Sequence, residues 1–338
     1  MEFPAHFYSH PLKTADAGRV VELVNAHARF IDSTEEQESV DSILSTWALP
    51  DFDLDRDALL LVDNRNSSDA AYADLVDIKH PYVRKYAYAK LHPDYSNDKV
   101  VQTALQDWIM MRARQRIAMV PDESLRVVLG QFADEKDQPA NQLLKQRGYR
   151  YTRSTFQMLL EMDGPPPAPQ LPGGYELRPV QDFVREFHPI LLAHRDAFRD
   201  HYGYVEEPWE KFEARWRAWV ASQKNFDPSL WFTVQQSGQV AGFVMCSVGT
   251  PQDAQTCEVN GFGVCRAHRR RGLGLALLET LFSELYRRGY RRVVLYVDGS
   301  SITGATRLYQ RVGMHIHHQY NLYEFELRSG IEVSRQYS

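Results

Sequence analysis

The sequence predicts an α/β protein made of two tandem halves, and three observations lead there. A proline- and glycine-rich stretch, DGPPPAPQLPGG at 163–174, divides the 338 residues into parts of similar length. Prolines there remove backbone donors and favour extended chain. The second half alternates strand-like and helix-like apolar patterns, and the first half repeats that order with several letters changed. The expected boundaries are 1–163 for the first domain, 164–174 for the linker and 175–330 for the second domain. Each domain is long enough to bury its own core.

In the second half, YELRPV (175–180) has the pattern of a first strand, with helical patterns over 182–199 and 208–222. Two apolar runs flank a Ser-Gly pair in LWFTVQQSGQVAGFVMCSV (230–248), which predicts a hairpin. EVNGFGV (258–264) predicts a further strand. From Gly272 onward Leu273, Leu277, Leu281 and Leu285 recur every four positions beside Leu278 and Phe282, the stripe of a helix with one buried face. RRVVLYV (291–297) has the pattern of a buried strand. TGATRLYQRVG (303–313) predicts a short helix ending at Gly313, and IHHQYNLYEFEL (316–327) a strand pair or one long strand.

Composition narrows the class. Hydrophobic residues make up 43% and charged residues 25%, ordinary values for a globular protein. A net charge of -5 disfavours general nucleic-acid affinity, so the arginines at 269–271 are a local feature. The three cysteines, Cys246, Cys257 and Cys265, have neither metal nor redox spacing and are expected to be reduced. The N-terminus lacks a basic start before an apolar core, and no apolar run approaches the roughly 18 residues of a membrane span. A cytoplasmic protein without membrane attachment is expected, as a monomer or homodimer.

The most informative stretch is GFGVCRAHRRRGLGLALLE (261–279). Adjacent arginines repel one another, and glycine inside a helix costs about 1 kcal/mol against alanine. An anion would compensate for both. The strand–turn–helix context sets Arg269 to Gly274 at a helix N-terminus, where free N–H groups and the helix dipole favour phosphate. Leu277 stands where a dinucleotide fingerprint needs its third glycine, and the Gly-Lys-Ser/Thr of a Walker A loop is absent. His315 and His317 lack a partnering cluster of acids or cysteines, so no metal is expected.

With these residues in hand, the second half resembles the GCN5-related N-acetyltransferase superfamily, in its tandem-domain type. The family's central motif runs strand, Val-x-x-x-x-Arg/Gln-x-x-Gly-x-Gly/Ala, helix, and Val264, Arg269, Gly272 and Gly274 match it. Tyr309 and Gly313 fit the last motif, and Glu258 stands where several members carry a general base. The resemblance implies two domains, each a twisted mixed sheet flanked by helices. It also implies acetyl-coenzyme A as co-substrate and a primary amine of a small molecule as acceptor.

On that resemblance, backbone amides and side chains of Arg269, Arg270, Arg271, Gly272, Leu273 and Gly274 hold the pyrophosphate. A bulge near Gly261 and Gly263 splays the strand toward the pantetheine arm. The N–H near Gly263 and Val264 polarises the thioester carbonyl. Glu258 serves as base and Tyr309 as acid. The family's asparagine before the last helix is replaced here, where the sequence offers Ser301 or Ile302, and Ser301 is the expected cofactor contact. The acceptor is expected near Asp200, Tyr202, Tyr204, Glu206 and Glu207, whose acidic and aromatic character suits a cationic amine.

The first half carries the degenerate copy. Leu91 stands at Val264, Ser96 at Arg269, Lys99 at Gly272, Val101 at Gly274, Lys85 at Glu258 and Leu144 at Tyr309. Two rivals to the small-molecule enzyme stay open at this point. One is a non-catalytic acyl-coenzyme A sensor and the other a protein or peptide N-acetyltransferase.

Overall fold

Parallel neighbouring strands need a crossover connection, and the chain makes such a crossover twice with a long amphipathic helix. The structure, a computed structural model, describes residues 3–33, 37–49, 51–77, 79–223, 226–250, 253–300 and 304–334. From the N-terminus, β1 (Phe7–His10) leads into α1 (Ala17–Phe30), α2 (Val40–Trp47) and α3 (Leu54–Asp57). Strands β2 (Ala58–Asp63), β3 (Ser68–Val76) and β4 (Arg84–Leu91) precede the crossover helix α4 (Lys99–Gln115). Then come β5 (Val127–Asp134), α5 (Gln138–Gln146) and β6 (Arg150–Glu161).

The order then repeats. Strand β7 (Glu176–Pro179) is followed by α6 (Phe183–Phe198), α7 (Trp209–Ser222), β8 (Phe232–Gln236), β9 (Gln239–Val248) and β10 (Thr256–Val264). The crossover helix α8 (Leu273–Arg287) leads to β11 (Arg292–Asp298), α9 (Ala305–Arg311) and β12 (His315–Arg328). The expected hairpin is β8–β9. Its Ser237 and Gly238 both have positive φ, 50° and 77°, the turn geometry that matches strand twist. The expected leucine stripe is the buried face of α8.

Two compact units result, and their boundaries differ from the expected ones. Unit 1 comprises Met1–Ser154 and Tyr320–Val333, and unit 2 comprises Thr155–Gln319 and Ser334–Ser338. In unit 1 the strand order is β1-β2-β3-β4-β5-β12, and in unit 2 it is β7-β8-β9-β10-β11-β6. The pairing sense is the same in both: three antiparallel pairs, one parallel pair, one antiparallel pair. The final strand of each half therefore completes the sheet of the other. Strand β12, expected within 175–330, pairs with β5 from Tyr320 to Arg328. Strand β6, expected within 1–163, pairs with β11 from Thr155 to Glu161. Period-two patterning shows that a strand has a buried face but not which edge it joins.

Each sheet buries both faces. In unit 2 one face packs under α8 through Leu277, Leu278, Leu281 and Phe282, and the other under α6 and α7 through Phe187, Leu191, Phe212, Trp216 and Phe243. Unit 1 has the same two layers, with α4 on one face and α1 and α2 on the other.

The strand exchange yields a direct test. Tyr323 is buried in unit 1, and its hydroxyl donates to Asn141 Oδ1 at 2.8 Å. Tyr323→Ala should destabilise by about 3–5 kcal/mol, the range for a buried aromatic. Hydrogen exchange should then rise in β2 to β5 and leave β10 and β11 protected. Loss of protection in β10 and β11 instead would contradict the exchange.

Candidate active site

The site begins where a strand pair ends. Strand β10 pairs with β11 only from Thr256 to Glu258, opposite Arg292 to Val294, although β11 runs on to Asp298. Its pairing with β9 continues to Val264 but shifts register between Val259 and Gly261. A bulge of this kind bends one strand away from its neighbour. Beyond Glu258 the β11-facing edge of β10 has no strand partner among the described residues. The bulge falls at Asn260, whose Oδ1 is buried without a partner among the described residues, one residue before the expected Gly261. Gly261 and Gly263 serve packing instead. A Cβ at Gly261 would lie 2.1 Å from Met245 Cε, and one at Gly263 would lie 2.7 Å from Ala197 Cβ.

The turn after β10 presents backbone donors. Arg270 and Gly272 take left-handed φ values of 63° and 82°, and Gly272 caps α8 without any side-chain bond. The first bond into the helix is Ala276 N–H to Gly272 C=O at 3.1 Å. The N–H groups of Leu273, Gly274 and Leu275 meet no protein acceptor among the described residues, as the first turn of any helix leaves them. A Cβ added at Gly272 would meet nothing within 4 Å. One at Gly274 would lie 3.1 Å from Leu308 Cδ2 and 3.2 Å from Phe262 Cζ. Gly272 thus permits the turn, whereas Gly274 lets α8 pack closely on β10 and α9. Leu273 offers its N–H only, since its side chain is buried in the core.

The three arginines separate into different environments. Arg269 turns inward to Asp200 and to the carbonyls of Ala197 and Val264, which departs from its expected reach toward phosphate. Arg271 donates to Tyr175 Oη at 3.0 Å. Arg270 is exposed, and among the described residues it has no side-chain partner.

Glu258 and Tyr309 flank the splayed strand on opposite layers. Glu258 pairs in register with Ser247, on the face that Phe243 and Met245 present to α6 and α7. Its half-buried carboxylate has no hydrogen-bond partner among the described residues, and burial raises its pKa. Tyr309, on α9, lies in the core under α8 with its ring 5.9 Å from that of Phe262. Burial pushes its hydroxyl well above the usual tyrosine value, so the proton is retained at neutral pH. No hydrogen bond joins the two side chains.

The expected acidic acceptor loop is internally neutralised. Asp200 is held by Arg269, and Glu206 by Arg195 and by Arg199. Tyr204 Oη donates to Glu206 at 2.8 Å, and Glu207 is buried against Arg215. Tyr202 is half-buried in the same loop. The local charge that sequence reasoning assigned to an amine is thus taken up by arginines. Ser301 lies outside the described residues. Sequence reasoning missed Asn260 and the stack of His194 on Phe198, 4.3 Å between ring centroids, beside Trp216. The apolar spacing of α6 and α7 carried that second signal. His315 and His317 lie on β12 with rings 6.3 Å apart.

In unit 1 the corresponding atoms differ. Asp98 caps α4, and its carboxylate accepts from the N–H groups of Val100 and Val101 at 2.8 and 3.3 Å. Strand β4 pairs with β3 without a register shift. Lys85 is fully buried against Asp77 at 2.7 Å, and Leu144 is buried in the core.

The chain is similar to known proteins. The Acetyltransferase (GNAT) family matches residues 191–314. A solved GCN5-related N-acetyltransferase from Sphaerobacter thermophilus is 31% identical, with a TM-score of 0.81 over 98% of this chain and 99% of its own. The chain belongs to the GCN5-related N-acetyltransferase family. A tandem GNAT protein of the clavulanic acid biosynthesis pathway shares the fold at 12% identity, with a TM-score of 0.68 over 96% of this chain and all of its own. A mycothiol acetyltransferase of Thermobispora bispora is 32% identical over 169 residues, 49% of this chain and 55% of that protein. The chain spans about half the length of the curated relatives it matches. Among the described residues of this GNAT chain, no helix is long and apolar enough to cross a membrane.

An unpaired, half-buried carboxylate should cost stability once ionised. Its raised folded pKa means that the penalty is absent below the unfolded value of about 4.3, grows as pH rises from there to the folded value, and is constant above it. Glu258→Gln should therefore raise the thermal midpoint at pH 8 and leave it nearly unchanged at pH 4. A lowered midpoint at pH 8 would show that the carboxylate has a stabilising partner.

Proposed function

We propose that the protein is an acetyl-coenzyme A-dependent N-acetyltransferase acting on a primary amine of a small molecule. The observation that carries this reading is the run of N–H groups at the start of α8, beside the edge of β10 beyond Glu258, both without a protein partner among the described residues. The first presents donors and a positive dipole end to a pyrophosphate. The second offers N–H and C=O groups to the pantetheine amides. Arg270 and Arg271, at the same exposed turn, add positive charge. The GNAT relatives support acetyl-coenzyme A as the donor, and those named mycothiol acetyltransferases support a small-molecule acceptor.

An alkylamine with a pKa of about 10.4 must lose its proton before it can attack. Glu258 suits that task because burial makes its carboxylate a better base. The amine nitrogen then attacks the thioester carbon while the N–H near Gly263 and Val264 stabilises the developing oxyanion. As the carbon–sulfur bond breaks, Tyr309 gives its proton to the departing thiolate. The attacking nitrogen gives its second proton through solvent to the Tyr309 phenolate, and Glu258 releases the proton it took to bulk water, so both groups are restored and no covalent enzyme intermediate is formed.

Unit 1 is proposed as a non-catalytic partner. The Asp98 carboxylate occupies the place of the anion, β4 has no bulge, and the Lys85–Asp77 pair stands where the base would be.

The test follows coenzyme A release with a panel of amines. Glu258→Gln and Tyr309→Phe should each lower kcat by about 10²–10⁴ and leave coenzyme A affinity unchanged, as expected for groups acting in proton transfer. The wild-type kcat should fall on the acid side at a pH above the ordinary glutamate range, and Glu258→Gln should abolish that limb. Coenzyme A binding without turnover of any amine would instead favour a sensor.

A further inference from the structure

Arg269 is the one arginine of the turn whose side chain is fully engaged by protein. Its guanidinium makes a two-pronged contact with Asp200, one prong at 3.0 Å, and donates to Ala197 O at 2.9 Å and to Val264 O at 3.2 Å. Ala197 lies in the last turn of α6, whose carbonyls lack helical partners and favour a cation. Val264 is the last residue of β10. One planar fork therefore ties the end of α6 to the end of β10, immediately before the left-handed residues Arg270 and Gly272.

A second clip repeats the arrangement one helical turn earlier. Asp196 accepts from the Arg266 backbone N–H at 2.8 Å and from its Nε and Nη2 at 3.0 and 2.9 Å. Asp196 lies in the last turn of α6 and Asp200 in the turn that follows its end. Together they fasten both ends of the segment 266–269. Burial alone would raise the Asp200 pKa, but the hydrogen bonds and charge of Arg269 outweigh it and hold Asp200 below its usual value. The pair stays ionised through the neutral range.

We infer that Asp200 and Arg269 are a positioning pair that holds the N–H groups at the start of α8 in place for the coenzyme and couples them to the acceptor-side loop after α6. The inference rests on the acyl-coenzyme A reading of that turn. It gives Asp200 no contact with the amine and Arg269 no contact with the pyrophosphate. The loop that begins at Asp200 is secured further on by Arg195, which bonds the Glu206 carboxylate and the Glu207 carbonyl. Disturbing Asp200 therefore loosens both substrates' surroundings.

The sign of one substitution separates this role from direct ligation. If Arg269 were a phosphate ligand restrained by Asp200, freeing it in Asp200→Asn would tighten coenzyme A binding. If the pair positions the turn, the same change loosens it. Calorimetric titration of the full chain with coenzyme A should show about tenfold weaker binding in Asp200→Asn, a factor that corresponds to about 1.4 kcal/mol. Asp200→Glu should recover part of it. The double variant Asp200→Asn, Arg269→Gln should be no weaker than the Arg269→Gln single variant. Glu213→Gln, which breaks a separate ion pair with Arg217 on α7, should leave the affinity unchanged. KM for acetyl-coenzyme A and for the amine should both rise in Asp200→Asn, with a smaller change in kcat. Unchanged or tighter binding in Asp200→Asn, with wild type binding normally, overturns the positioning pair alone. Failure of wild type to bind coenzyme A overturns the acyl-coenzyme A reading, and the pair's proposed role falls with it.

Discussion

The parallel pairing of β10 with β11 stops after Glu258, and the backbone beyond it must either find other partners or stay open. That constraint organises the rest of unit 2. The register shift around Asn260 turns β10 away from β11 while keeping its bonds to β9. Glycines at 261 and 263 let Met245 and Ala197 close over the bent strand. The chain then leaves β10 through a turn with two left-handed residues and enters α8 with its first N–H groups unspent on any described residue. An open strand edge and an uncapped helix start thus adjoin, one suited to an amide-bearing arm and the other to an anion.

The two units show how few atoms separate a site from its absence. Their pairing sense is identical strand by strand, and both place a long crossover helix after the fourth strand. What differs is local. Asp98 spends the helix N–H groups of α4 on a carboxylate of the chain itself, whereas Gly272 leaves those of α8 unspent. Lys85 is a buried cation with its own counter-ion, whereas Glu258 is a half-buried carboxylate with none among the described residues. A buried pair is structural because its charge is already compensated, while an uncompensated carboxylate remains available to a proton.

Much of the site was legible because its signals are local. Gly272, Gly274, Tyr309 and Gly313 are tied to a turn, a close packing and a short helix, all written into spacing along a few residues. The hairpin at Ser237–Gly238 and the leucine stripe of α8 were legible for the same reason. The exchange of β6 and β12 was not, because alternation encodes a buried face and leaves the neighbour unspecified. Nor were the partners of Asp200 and Glu206. A carboxylate in a sequence carries charge, but whether a ligand or an arginine answers it depends on tertiary approach. Asp196 and Asp200 stand near each other in the sequence, as do Arg266 and Arg269, but only the docking of α6 against the turn pairs the acids with the arginines.

The central claim is that an unfilled helix start in one unit takes the coenzyme and that a filled one in the other does not. The stoichiometry of coenzyme A binding to the full chain tests it most directly. Titration calorimetry should give one coenzyme A per chain, with a single class of sites. Two equivalent sites per chain would contradict the account, since the second could only form by displacing the Asp98 cap.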